Sequence, residues 1–188
     1  MKRTIIQSIF IATVIFSAFY SCKPKCERHP DDPECLGESE LITTLRITFT
    51  DSATGAAAGV FQYRDADGNG LPEVFDTILL SANKTYKAEL QFLNESVTPA
   101  QDVTDEIEAE KNEHFISFSI HTVSVIVTYI DFDTNNPPLP VGLQTYWRTG
   151  AAGTGHVRVK LKHQPGTKDG TANPGDTDAD VEFAVVLQ

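Results

Sequence analysis

Beyond Cys35 the chain has no cysteine; Cys22, Cys26 and Cys35 all lie near its beginning. A globular body further along therefore depends on no disulfide and can offer a metal no thiolate. Basic residues are scarce as well, 15 Lys and Arg against 26 Asp and Glu. That balance excludes a nucleic-acid surface and electrostatic docking onto anionic lipid. Catalytic signatures are missing: there is no Gly-x-Ser-x-Gly elbow, no His-Glu-x-x-His, no phosphate loop and no cysteine nucleophile in the body. Carboxylates are plentiful, but no pair stands out as a glycosidase acid and nucleophile. These absences point away from an enzyme.

What is present begins with Lys2 and Arg3, an apolar run from Ile5 to Phe19, and Ser21-Cys22. A basic start, an apolar stretch and a small residue directly before cysteine read as a lipoprotein signal over 1–21, with Cys22 carrying the lipid. An uncleaved membrane anchor is the alternative, but the run is near the lower length limit for a span and is diluted by Gln7, Ser8 and Thr13. Phe19 and Tyr20 depart from the aliphatic residues usual at a lipobox. Cleavage removes two of the 15 basic residues and no acidic one, leaving 13 against 26, a formal charge of −13. The expected location is the outer membrane, with the membrane itself a partner through the lipid. Residues 22–40 are rich in Pro and charge without an apolar period and read as a tether. Within it Cys26 and Cys35 suit a disulfide across the intervening loop, and Cys26, His29 and Cys35 are the alternative, a zinc set.

From residue 41 to 188 the pattern is that of strands. Leu45, Ile47 and Phe49 alternate with Thr44, Arg46, Thr48 and Thr50. The same period of two recurs through His114, Ile116, Phe118 and Ile120, through Val123 to Tyr129, through Val157, Val159, Leu161 and His163, and through Val181 to Leu187. Val60–Tyr63 and Val74–Leu80 flank a Gly-rich turn. Eight or nine such strands, separated by Gly, Pro, Asn and Asp, predict an all-β fold, an antiparallel immunoglobulin-like β-sandwich in one domain. One short inserted helix is predicted near 102–112, where Val103 and Ile107 stand one turn apart behind early acidic residues.

Three constellations bear chemistry. Asp65, Asp67, Asn69 and Asp76 fit the oxygen spacing of a calcium loop, with Gly70 at its sixth position. The flanking strands do not suit an EF-hand, and a hairpin turn capped by its own Asp and Asn is the plainer alternative. His114 and His163 each continue the inward stripe of a strand. If those strands run antiparallel, both imidazoles reach the same end of the core, with Glu110 and Glu113 close by in sequence. Imidazole plus carboxylate is a competent zinc set, and two core-edge histidines bonded to backbone are the alternative. Trp147 with Tyr146 suits either the core or a carbohydrate-stacking platform.

The segments Tyr63-Arg-Asp-Ala-Asp-Gly-Asn-Gly70, Ala82-Asn-Lys-Thr-Tyr86 and Phe92-Leu-Asn-Glu-Ser96 resemble a group of small flavobacterial (Bacteroidetes) surface lipoproteins. Asp105-Glu-Ile-Glu-Ala-Glu-Lys-Asn-Glu-His114, Val159-Lys-Leu-Lys-His-Gln-Pro165 and Gly175-Asp-Thr-Asp-Ala-Asp-Val-Glu-Phe183 extend the resemblance over roughly 40–188. Members sometimes carry an automatic name invoking a type 1 periplasmic binding fold, which the strand pattern contradicts because that fold is a larger α/β architecture. The resemblance implies an accessory role beside a TonB-dependent outer-membrane transporter, with zinc as cargo and the segments holding His114 and His163 as its site.

Overall fold

The computed structural model describes residues 41–188. The expectations for the signal, the tether, Cys22, Cys26, His29 and Cys35 fall outside that range. The alternating stripe at 45–49 builds β1 (Thr44–Asp51), with Leu45, Ile47 and Phe49 buried. It pairs antiparallel on one side with β2 (Ala57–Arg64) and on the other with β5 (Thr85–Asn94). Adding β3 (Val74–Phe75), β6 (Gln101–Asp102), β8 (Val125–Tyr129) and β9 (Gln144–Thr149) completes a seven-stranded sheet, with β6 hanging on β5 beside the main path. The second sheet has four strands in the order β4 (Ile78–Leu80), β11 (Asp176–Leu187), β10 (Gly153–His163), β7 (His114–His121). The two sheets form a β-sandwich.

The core lies between them. Trp147 of the larger sheet is fully buried and meets Phe49 at 5.1 Å and, across the sandwich, Phe118 at 5.9 Å, both edge-on. Such tilted contacts suit the ring quadrupoles and add to the burial of area. Val157, Val159, Leu161, Phe183 and Val185 supply the opposite wall, as their period of two requires.

Two expectations need correction. Val74–Leu80 is not one strand: β3 ends the larger sheet, and β4 joins the smaller sheet in parallel with β11. The chain changes sheet at Asp76, whose amide donates to the Gln62 carbonyl at 3.0 Å and whose Oδ2 accepts from the Gln62 amide at 2.9 Å. The helix, α1 (Thr104–Ala109), is shorter than 102–112. Burial of Val103 and Ile107 holds it to the sandwich, but it has no side-chain N-cap bond and no basic residue in its last turn. Among the described residues no helix is long and apolar enough to cross a membrane.

Candidate metal centre

The antiparallel ladder between β7 and β10 sets His114 directly opposite His163. Each is the last member of an inward stripe, so both rings emerge at one end of the core. They stack at 4.7 Å between centroids with planes 8° apart. His114 is fully buried, and the His163 side chain retains only 12% exposure.

Glu110 reaches the pair from the turn that follows α1. Glu106, Glu110 and His114 are spaced four residues apart but do not share one helix face, because the helix ends at Ala109. The chain instead turns through Glu110–Glu113, closed by Glu113 N–H donating to the Glu110 carbonyl at 2.7 Å. That carbonyl also faces His114 Nδ1 at 3.3 Å. Ligand atoms of Glu110, His114 and His163 lie within 4.8 Å of one another. Glu113 stands outside this trio, with its Oε2 3.9 Å from His163 Nε2. Burial pushes the Glu110 carboxyl above its ordinary range; Glu106 and Glu113 add to the rise, while His114 and His163 oppose it.

The surroundings hold this turn in place. Gln164 N–H, one residue past His163, donates to the Glu113 carbonyl at 2.6 Å. Asn112 Oδ1 accepts from the amide and hydroxyl of Thr134 at 2.9 and 3.0 Å. Lys168 Nζ donates to the Lys111 carbonyl at 2.7 Å and pairs with Asp133 Oδ2 at 3.0 Å. Both side chains of that pair are essentially out of water, at 2% and 0% exposure. Burial lowers the Lys168 pKa, with Asp133 pulling the other way. Burial also opposes ionisation of Asp133, but the amides of Leu139 and Asn135 and the Lys168 ammonium outweigh it and hold that carboxyl below the usual range. Gly175 closes the other side: its φ is +72°, and a Cβ there would overlap the His163 carbonyl.

Neither Lys168 nor Gln164 stands out in the sequence. They belong to a loop rich in Gly, Thr and Pro with no apolar period, where burial leaves no signature. Only the position of Gly175, directly before the last strand, marks it as a turn residue.

The acidic loop takes a different shape from the one its spacing suggests. Carboxylate oxygens of Asp65, Asp67 and Glu73 lie within 4.8 Å of one another, whereas Asp76 is engaged with Gln62. Asn69 donates its side-chain amide to Asp67 at 2.8 Å instead of presenting its oxygen, and that oxygen accepts from the Leu71 amide. Asp65 accepts from the amides of Asn69 and Gly70, which is ordinary turn chemistry. Two further acidic stretches, 131–135 and 176–180, serve loops and edges: Asp131 accepts from the Gly142 and Leu143 amides, and Asp180 binds Arg158 through two bonds. Among the described residues neither forms a ligand group.

Trp147 donates its indole N–H to Thr145 Oγ1 at 3.0 Å and is fully buried, so it is no carbohydrate platform. A cleft of about 310 Å³ near Asp51, Lys84 and Tyr86 lies elsewhere. Its charges satisfy each other: Lys84 binds Asp51 at 2.7 Å and brings that carboxyl down to about 2.

Compared with known protein families, curated proteins and solved structures, the chain shows no significant match.

Proposed function

We propose that this chain is a lipid-anchored, non-enzymatic lipoprotein of the outer membrane that binds a transition metal, zinc foremost, as an accessory to a TonB-dependent transporter. The observation that carries the metal reading is the convergence of Glu110, His114 and His163. Two imidazoles and a carboxylate are borderline ligands suited to first-row divalent cations. His114 is also in the arrangement usual for a ligating histidine. With its proton on Nδ1 it donates to the Glu110 carbonyl, which makes Nε2 the nitrogen that would serve as ligand. Membrane attachment and the transporter rest on Ser21-Cys22 and on the resemblance to flavobacterial lipoproteins.

The test is thermal melting of the full chain with and without zinc. A ligand at a hundred times its Kd stabilises by about 2.7 kcal/mol. For a chain of this size that is a rise in Tm of about 5–10 °C. His163→Ala should lose the rise. A wild-type Tm indifferent to zinc would refute the reading. A second reading, a structural or adhesive surface module holding calcium, draws on the Asp65, Asp67 and Glu73 oxygens. The same melting series with calcium and with chelator separates the two.

A further inference from the structure

The four side chains of this cluster do not stand equally. Glu110, His114 and His163 bring ligand atoms together, while Glu113 is set behind His163, 3.9 Å from its Nε2. A carboxylate or backbone carbonyl on the far nitrogen of a ligating imidazole fixes its orientation and raises its basicity. The Glu110 carbonyl has that place beside His114. With His163 ligating through Nδ1, Glu113 takes that place beside its Nε2, and the Glu113 backbone is held there by the bond from Gln164 N–H.

Exposure changes steeply across the trio. His114 is fully buried, the His163 side chain keeps 12% exposure, and Glu110 is the exposed member, although protein partly desolvates its carboxyl. A cation held by all three is backed by protein on the His114 side and reaches water on the Glu110 side. Zinc sites that serve structure alone are closed by four protein ligands; sites with three keep a position for an exchangeable donor.

We propose that Glu110, His114 and His163 hold a first-row divalent cation as three protein ligands, with Glu113 orienting His163, and that the fourth position is open to an outside monodentate donor. That donor is water at rest and a side chain such as imidazole from a delivering or receiving protein during transfer. This rests on the metal reading above and gives it a direction: the site is built to pass the ion on. Donors around tetrahedral zinc stand about 3.3 Å apart, given bonds of about 2.0–2.1 Å. The ligand atoms here lie within 4.8 Å of one another, and rings 8° from parallel aim their in-plane lone pairs side by side instead of at one point. Binding must therefore tilt the parallel rings, and the less enclosed His163 and Glu110 are the ligands with room to move.

Cobalt(II) in place of zinc makes the fourth position visible. The full chain is loaded with cobalt, and its visible absorption is followed as imidazole is added, with retention of cobalt checked by gel filtration. A saturable change in the bands with cobalt retained is expected for the wild type. Glu113→Gln should show the same bands and the same response, with cobalt affinity about tenfold weaker. Glu110→Gln should lose more affinity and change the bands. A wild-type spectrum insensitive to imidazole that becomes sensitive in Glu113→Gln would make Glu113 the fourth ligand and overturn the proposal. Imidazole stripping the cobalt from the chain would overturn it too. A wild type that takes no cobalt at all would instead sink the metal reading beneath it.

Discussion

Replacing Lys168 by Met tests whether the loops around the histidines are held by a buried ion pair. Lys168 and Asp133 meet at 3.0 Å with side-chain exposures of 2% and 0%, so solvent screening offers little relief. Breaking a buried pair by removing one partner costs about 3–5 kcal/mol, because the other charge is left uncompensated. Asp133 keeps three hydrogen bonds, from the Leu139 and Asn135 amides and from Asn135 Nδ2, which sets the expectation at the lower end. Loss of the bond to the Lys111 carbonyl works in the other direction. The expected loss is therefore about 3 kcal/mol, a large share of the ~5–15 kcal/mol that stabilises a typical domain. Urea unfolding with the slope held common between variants measures it. The double variant Lys168→Met with Asp133→Asn removes the stranded charge and should recover part of the loss. A single-variant loss below about 1 kcal/mol, as for an exposed pair, would refute the reasoning. So would a double variant less stable than the single one.

Two further expectations follow from the core. Trp147→Ala should cost about 3–5 kcal/mol in the same assay, since it removes the ring that packs against both Phe49 and Phe118; a loss near zero would place the ring outside the core. Tyr129 has its pKa raised to about 12, chiefly by burial and then by Asp131, so its stabilising contribution is complete below pH 10 and fades as pH rises towards 12. An absorbance titration of phenolate in the folded chain finding Tyr129 ionised with an ordinary pKa would contradict its burial.

The strands were legible because period two is a local property. Leu45, Ile47 and Phe49, and equally Val157, Val159 and Leu161, announce their buried face without reference to any partner. The histidines at the ends of two such stripes were legible for the same reason. The division at Asp76 was not, since a polar Asp-Thr step also occurs within a half-exposed strand and only the hydrogen bonds to Gln62 show that the chain changes sheet there. Helix length was overestimated at both ends, because Val103 and Ile107 establish one buried turn and nothing after them supplies another. Lys168 was invisible: a lysine in a polar loop looks solvated until the distant segments of Lys111 and Asp133 close around it.

Alternation and turn residues alone thus determined that this is a strand-built body with an inward stripe ending at His114 and another ending at His163. Tertiary structure decided that the two stripes belong to neighbouring antiparallel strands in a register that stacks the rings at 4.7 Å. It also decided that Glu110 joins them while Glu113 stands behind His163, and that Asp76 leaves the acidic loop. Those outcomes depend on pairing between residues dozens of positions apart. A one-residue slip of register would turn every side chain to the other face, and no local pattern in either strand specifies it.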